Sequence, residues 1–160
     1  MRGLHHQNFG EKITLISKIL KPKMVVVDAL YALNEHGPMW GEPVKTDMLL
    51  ISDNVVASDS LGASIMGIPL NKANHILVAE KEGLGTTNLD KIRLNVDWKK
   101  YKLDFQLRKT LVDHASGLLF KSDLLTKLVV DSPLSPLMYG IAGLLRTDEE
   151  KEFADSLKKE

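Results

Sequence analysis

Two short runs of consecutive apolar residues stand out in the first third of the chain. They are Met24–Val27 and Met48–Ile51. Because each run is continuous rather than alternating, the pattern favours strands of a parallel sheet that is covered on both faces. Between them, residues 34–43 contain two glycines and two prolines, which predicts a structured loop.

Three segments show the spacing of apolar residues that is typical of a helix. The first runs to Leu20 and begins with Asn8 and Glu11, which stand three residues apart as in a capping box. The second and third cover Val55–Met66 and Lys72–Glu82, and glycine follows each of them. We therefore predict a helix before the first strand and two helices after the second.

The second half of the chain continues the alternation and then becomes helical. Lys91–Val96 and Tyr101–Leu107 have the composition of further strands, and helical runs follow from Arg108. Strands alternating with helices predict an α/β fold with a mainly parallel, helix-covered sheet, Rossmann-like in three layers, and appended C-terminal helices. On this basis residues 1–107 form the α/β core, and residues 108–160 form a helical extension packed on the same domain.

Composition narrows the classes of function. A chain of 160 residues with 44% apolar residues has the size and character of one globular domain. Its 21 basic and 21 acidic residues cancel, which argues against a nucleic-acid partner. Cysteine is absent, so the chain ligates no iron–sulfur cluster through thiolates. Met1–Gly10 contains no apolar stretch, which predicts a cytoplasmic protein without a membrane span.

Two aspartates follow the apolar runs and suggest a site. In a parallel sheet, Asp28 and Asp53 would both lie at the carboxyl ends of strands, where open α/β folds place their ligands. With Gly37, Pro38 and Gly41 from the intervening loop, they could hold a divalent cation against a phosphate or carboxylate ligand. The alternative is structural: Asp53 caps the following helix and Asp28 fixes a turn.

Asp59 is a third candidate, because it falls inside the second predicted helix. It shares a face with Ala63 and Met66, and we expect this face to meet the sheet. A carboxylate buried there needs a hydrogen-bonding partner, a cation or a metal ion. Structural and functional roles both remain open. If the role is functional, the Asp59→Asn variant should lose its response to ligand while it stays folded.

These residues also resemble a known family, the domain of unknown function 362 family. The likeness runs from Leu4 to Val96 and depends on the order and spacing of Leu4-His5, Lys21-Pro22, Asp28, Gly37-Pro38, Gly41, Asp53, Asp59, Met66-Gly67, His75 and Gly83-Leu84-Gly85. Family members are described as uncharacterised or as iron–sulfur associated. The resemblance adds His5 as a metal candidate beside the three aspartates.

The chain departs from the family pattern in two ways. It resembles the C-terminal half of the family domain without its cysteines, and Met1 stands almost against the Leu-His element. We therefore expect a truncated or split version that completes itself as a homo-oligomer or with a protein partner.

Two functions of different classes follow from these observations. The first is a small-ligand or divalent-metal-binding α/β domain, with an enzyme that uses a carboxylate site among the possibilities. The alternative is a noncatalytic subunit or scaffold that partners an iron–sulfur or redox protein. Clustering of the three aspartates in an open pocket would favour the first, and a large exposed apolar patch would favour the second.

Overall fold

A computed structural model describes residues 8–35, 41–106, 108, 111–119, 122–129, 132–133, 135–144, 148 and 151. The chain divides into two compact units, each treated separately below. The core unit comprises Phe9–Glu35 and Pro43–Gln106, and the second unit comprises Met1–Asn8, His36–Glu42 and Leu107–Glu160.

The sheet consists of one hairpin, so the predicted parallel sheet is wrong. Strands β1 (Val25–Asn34) and β2 (Glu42–Ser52) pair with each other in a two-stranded antiparallel sheet. The Rossmann-like, three-layered arrangement is therefore absent from the described residues. The physical reason is the connection: only residues 35–41 separate the strands. A parallel pair requires a crossover of roughly a dozen residues or more.

The other two predicted strands are also wrong. Leu89–Lys91 and Trp98–Tyr101 form short 3₁₀ turns, and the intervening residues are irregular. Beyond them, the backbone N–H of Leu103 donates to the carbonyl of Ile65 at 2.6 Å. The backbone groups of this part of the chain therefore form hydrogen bonds within turns and to the end of a helix, and not to a neighbouring strand.

The three predicted helices of the core unit are confirmed. They are α1 (Phe9–Leu20), α2 (Val55–Ile65) and α3 (Asn74–Lys81). Helix α2 ends at Ile65, and the chain turns away at Gly67, whose φ of 71° is favourable for glycine. The Ile68 N–H then donates to the Ala63 carbonyl at 2.8 Å.

A small hydrophobic core lies between α2 and α3. Its fully buried members are Val56, Ala63, Ile76 and Ala79. Helix α1 packs on α3 at close range, since a Cβ on Gly10 would lie 3.2 Å from the Cα of His75. The hairpin contributes none of the buried apolar residues among the described part of the chain. Helix packing therefore supplies the stability of this unit.

In the second unit, the predicted helical character is confirmed for the residues that the structure describes. Helices α4 (Leu111–Leu119), α5 (Asp123–Val129) and α6 (Ser135–Leu144) follow one another with short connections. Thr126 is fully buried, and its hydroxyl donates to the Leu119 carbonyl at 3.0 Å, which fixes α5 against the end of α4. The packing of this extension on the α/β core remains a prediction.

Candidate functional site

A cleft of about 830 Å³ opens in the core unit beside the start of α2. The end of β2 forms one side with Ser52 and Asp53, and residues 91–94 form another. One face of α2 forms the floor, since Asn54, Ala57, Ser58 and Leu61 recur at helical spacing along it. Three elements that are separate in sequence thus meet at the first turn of one helix.

Asn54 fixes the geometry of this cleft. Its side-chain oxygen accepts a hydrogen bond from the Ala57 N–H at 3.0 Å, so Asn54 is the N-cap of α2. Its side-chain Nδ2 donates to the Leu84 carbonyl at 2.8 Å. One side chain therefore joins the start of α2 to the segment that leads into residues 85–94. The structural role predicted for Asp53, as the cap of this helix, is therefore wrong, because the cap is the next residue.

The segment after α3 is held in place by a carboxylate. Glu80 accepts hydrogen bonds from the Thr87 N–H at 2.6 Å, from the Thr87 hydroxyl at 2.8 Å and from the Thr86 hydroxyl at 3.2 Å. These hydrogen bonds, led by that from the Thr87 N–H, lower the pKa of Glu80 from its ordinary value of 4.5. The ionised carboxylate thus holds the loop that precedes residues 91–94 of the cleft.

We expect the contribution of Glu80 to stability to depend on pH. Because its folded-state pKa is lowered, the contribution is complete above about pH 4.5 and is lost as the pH falls through the folded-state value. The Glu80→Gln variant should therefore unfold at lower urea concentration than the wild type at pH 7, and this difference should narrow below pH 4.5. Glu42→Gln, the same change at an exposed position at the start of β2, is the control. A difference that is independent of pH would contradict the role of the charge.

The electrostatic character of the cleft is basic. Lys23, Lys91 and Arg93 line it, and Asp53 is the one acidic residue among its lining residues. The first turn of α2 contains no acidic residue. A helix start carries partial positive charge. The N–H groups of Ala57 and Ser58 both donate to Asn54, so this part of α2 contributes charge to the cleft rather than free N–H donors. Side chains and backbone therefore favour a negatively charged ligand at this point.

A buried hydroxyl lies on the same face of α2. Ser58 is 4% exposed, and its Oγ has no hydrogen-bond partner. An unpaired buried hydroxyl costs free energy relative to one that is hydrogen-bonded. Ser58 is one of the residues that line the cleft. Ser60, on a different face of α2, has an equally unpaired hydroxyl but does not line the cleft.

The structure does not gather the three predicted aspartates around this cleft. Asp53 lines it, whereas Asp28 and Asp59 do not. Asp28 lies within β1, where its carboxylate accepts a hydrogen bond from the Leu30 N–H at 3.0 Å. The Thr46 hydroxyl donates to the Ala29 carbonyl, which places Asp28 opposite the middle of β2. At about 3.3 Å per residue, Asp28 is roughly 15–20 Å from the Asp53 end of the hairpin.

Asp59 also differs from its predicted environment. It lies on α2 as predicted, but the residue is exposed rather than buried against a sheet. Partial loss of water around the carboxyl raises its pKa, and the neighbouring His75 imidazole opposes this effect. The predicted loss of ligand response in Asp59→Asn stays a prediction.

The remaining candidate residues are covered only in part. His5, Gly37 and Pro38 lie outside the described residues. Gly41 is described, has a φ of 155° and belongs to the second unit. Within the described ranges, no group of three or more histidine, aspartate and glutamate residues could hold a metal ion. Metal binding by Asp28, Asp53, Asp59 and His5 therefore stays a prediction.

The basic residues of the cleft were missed by sequence reasoning. Lys23 follows α1, whereas Lys91 and Arg93 come almost seventy residues later, in a segment predicted as a strand. Their one signal was the absence of acidic residues from the first turn of α2, which leaves the positive end of that helix unneutralised.

Comparison with known families supports the resemblance for part of the chain. The first 64 residues match the family described as Domain of unknown function (DUF362). The DUF362 match covers the hairpin and most of α2, so it includes Asp28, Asp53 and Asp59. It ends before Val96, to which we expected the likeness to extend. The basic wall at residues 91–94 lies beyond the DUF362 match.

The other comparisons add no relative. No curated protein and no solved structure matches the chain. The sequence contains no cysteine, so this chain ligates no iron–sulfur cluster through thiolates. None of its described helices is both long and apolar enough to cross a bilayer.

The hairpin exposes apolar side chains. Val26, Leu30 and Tyr31 of β1 are each more than half exposed, as are Leu49 and Ile51 of β2. An exposed patch of this kind is what a partner-binding subunit would present. A homo-oligomer, or the alternative role beside an iron–sulfur or redox protein, stays a prediction.

Proposed function

We propose that the core unit binds a small anionic ligand and holds its phosphate or carboxylate group in the cleft at the start of α2. The observation that carries this proposal is that Lys23, Lys91 and Arg93 line one cleft with the start of α2 and with Ser58, whose buried hydroxyl is unpaired. Arg93 and the two lysines supply positive charge, and the Ser58 hydroxyl supplies a hydrogen-bond donor.

Of the two ligands expected from the sequence, a small molecule and a divalent metal ion, we propose the small molecule. Oxygen ligands for a divalent cation require several carboxylates on one site. Asp53 is the one carboxylate that lines the cleft, and three basic residues line it as well. An anion satisfies these groups without further ligands, whereas a cation would be repelled by them. Binding alone follows from this arrangement, and no reaction is assigned.

The experiment is a calorimetric titration of the protein with inorganic phosphate at low ionic strength. Two matched pairs of variants make it specific. Lys23→Gln removes a charge from the cleft, and Lys99→Gln removes one from an exposed position outside it. Ser58→Ala removes the hydroxyl on the cleft face, and Ser60→Ala removes the unpaired hydroxyl on another face.

We expect the wild type to bind phosphate and the two cleft variants to bind it more weakly. One hydrogen bond to a charged group contributes about 1.5–3 kcal/mol, so Ser58→Ala should weaken binding roughly ten-fold or more. Lys23→Gln should weaken it several-fold, and the effect should shrink as salt is added. Lys99→Gln and Ser60→Ala should match the wild type. Absence of phosphate binding, or equal effects within each pair, would contradict the proposal.

A further inference from the structure

A second cleft of about 550 Å³ adjoins the first. The two share the lining residues Leu50, Ile51, Leu61, Arg93 and Leu94. Its other lining residues are mostly apolar or aromatic: Met48, Leu49, Ile65, Val96, Trp98 and Tyr101. The polar ones are Asn95 and Asp47, and the Asp47 carboxylate is paired with Lys45 at 3.0 Å. Arg93 belongs to both, so its guanidinium group marks the junction between a basic region and an apolar one.

Three elements run through both clefts in a consistent order. Helix α2 passes from Ser58 in the first cleft to Leu61, which is shared, and Ile65 in the second. Residues 91–94 lead from the first cleft towards Trp98 in the second. Strand β2 runs the opposite way, from the second cleft to the first. The two clefts therefore form one continuous groove beside α2.

The dimensions of this groove indicate the size of a ligand. At about 1.5 Å per residue, Ser58 and Ile65 are roughly 10 Å apart along the helix. A phosphate at the basic end and one aromatic ring at the apolar end span a comparable length. Trp98 is half-buried and Tyr101 is 44% exposed, so their rings are accessible from the groove. Accessible aromatic side chains are suited to stacking on a planar group.

We propose that the ligand is an aromatic compound bearing a phosphate or carboxylate group. Its anionic group lies at the start of α2, and its ring lies against Trp98 and Tyr101. This inference rests on the proposed function, which supplies the anionic group, and adds the chemical class of the rest of the ligand. Arg93, at the junction, faces the anionic group from the side of the ring.

The test compares two probes that carry the same dianionic group, methyl phosphate and phenyl phosphate. We expect phenyl phosphate to bind the wild type roughly ten-fold more tightly, since the ring gains burial and stacking in the apolar cleft. Trp98→Ala and Tyr101→Leu should each remove most of this gain and leave the affinity for methyl phosphate unchanged. Tyr31→Ala, at an exposed aromatic residue of β1 that lines neither cleft, is the control.

The possible outcomes separate the two proposals. Equal affinity of the wild type for the two probes would overturn the aromatic ligand and leave the anion cleft intact. Absence of binding by both probes would overturn the anion cleft itself. A gain that survives in both variants, with circular dichroism showing that they are folded, would place the ring elsewhere and would also overturn the inference.

Discussion

The Asn54→Ala variant is expected to lose about 2 kcal/mol of unfolding free energy, from one lost helix cap and one lost tertiary hydrogen bond. The cap is the bond from the Ala57 N–H, and the tertiary bond runs from the Asn54 side chain to the Leu84 carbonyl. The core unit is small, so this loss is a large part of its stability. Urea unfolding followed by circular dichroism measures the effect.

Two further variants divide this loss between its parts. Asn54→Asp keeps an acceptor for the Ala57 N–H and removes the donor to Leu84, so it should lose about half as much. Asn88→Ala removes the same type of cap from an exposed 3₁₀ turn and should cost well under about 1 kcal/mol. If Asn54→Ala and Asn88→Ala were equally mild, Asn54 would not join α2 to the following segment.

The Gly85→Ala variant is expected to destabilise the protein by a similar amount, about 2 kcal/mol, because its methyl group occupies the position of the Asn54 side chain. A Cβ at residue 85 would lie 2.9 Å from the Cγ and Nδ2 atoms of Asn54, and closer still to Oδ1. The Asn54 amide would have to move, and both of its hydrogen bonds would then be lost. Thermal unfolding, compared with the wild type, measures this.

A double-mutant cycle tests this explanation. In the Asn54→Ala background the obstruction is gone, so Gly85→Ala should cost less than about 0.5 kcal/mol. Gly62→Ala is the matched control, since a Cβ there meets no atom within 4 Å. As a glycine inside α2, Gly62 should give a gain of about 0.5–1 kcal/mol on replacement. Additive losses at positions 54 and 85 would mean that the new methyl group obstructs some other part of the protein.

The helices of the core unit could be predicted from sequence because their signals are local. Apolar spacing from Val55 onward and a glycine at position 67 define α2 whatever surrounds it. The cap was assigned to Asp53 rather than Asn54 because both side chains can cap a helix. The choice between them depends on the Leu84 carbonyl, thirty residues away.

The sheet was predicted wrongly because the apolar runs cover only part of each strand. The valines of β1 are typical of a strand buried on both faces, yet Val26 is 53% exposed in the hairpin. The predicted runs leave residues 28–47 for a connection, which is long enough for a crossover. The strands of the structure extend further, and residues 35–41 between them are too few. With antiparallel strands, Asp28 and Asp53 no longer share an edge.

The set of residues that lines the cleft could not have been predicted from the sequence. Its basic residues are separated by almost seventy positions, and the segment that contains two of them is linked to α2 by the tertiary bond between Asn54 and Leu84. The burial of Ser58 depends in the same way on the packing of α2. Local patterns identified the helix that forms the floor, but the walls depend on contacts between distant segments.

The role of Asn54 has a consequence for how such a cleft can change over evolution. The Asn54 side chain leaves no room for a Cβ at residue 85, so we expect Gly85 to be replaceable only after Asn54 has changed. Lys23 and Arg93, by contrast, form no hydrogen bond or ion pair within the described part of the chain that would hold α2 to the following segment. The residues that line the groove can therefore change, and the ligand preference with them, while the contacts that hold α2 to the following segment are kept.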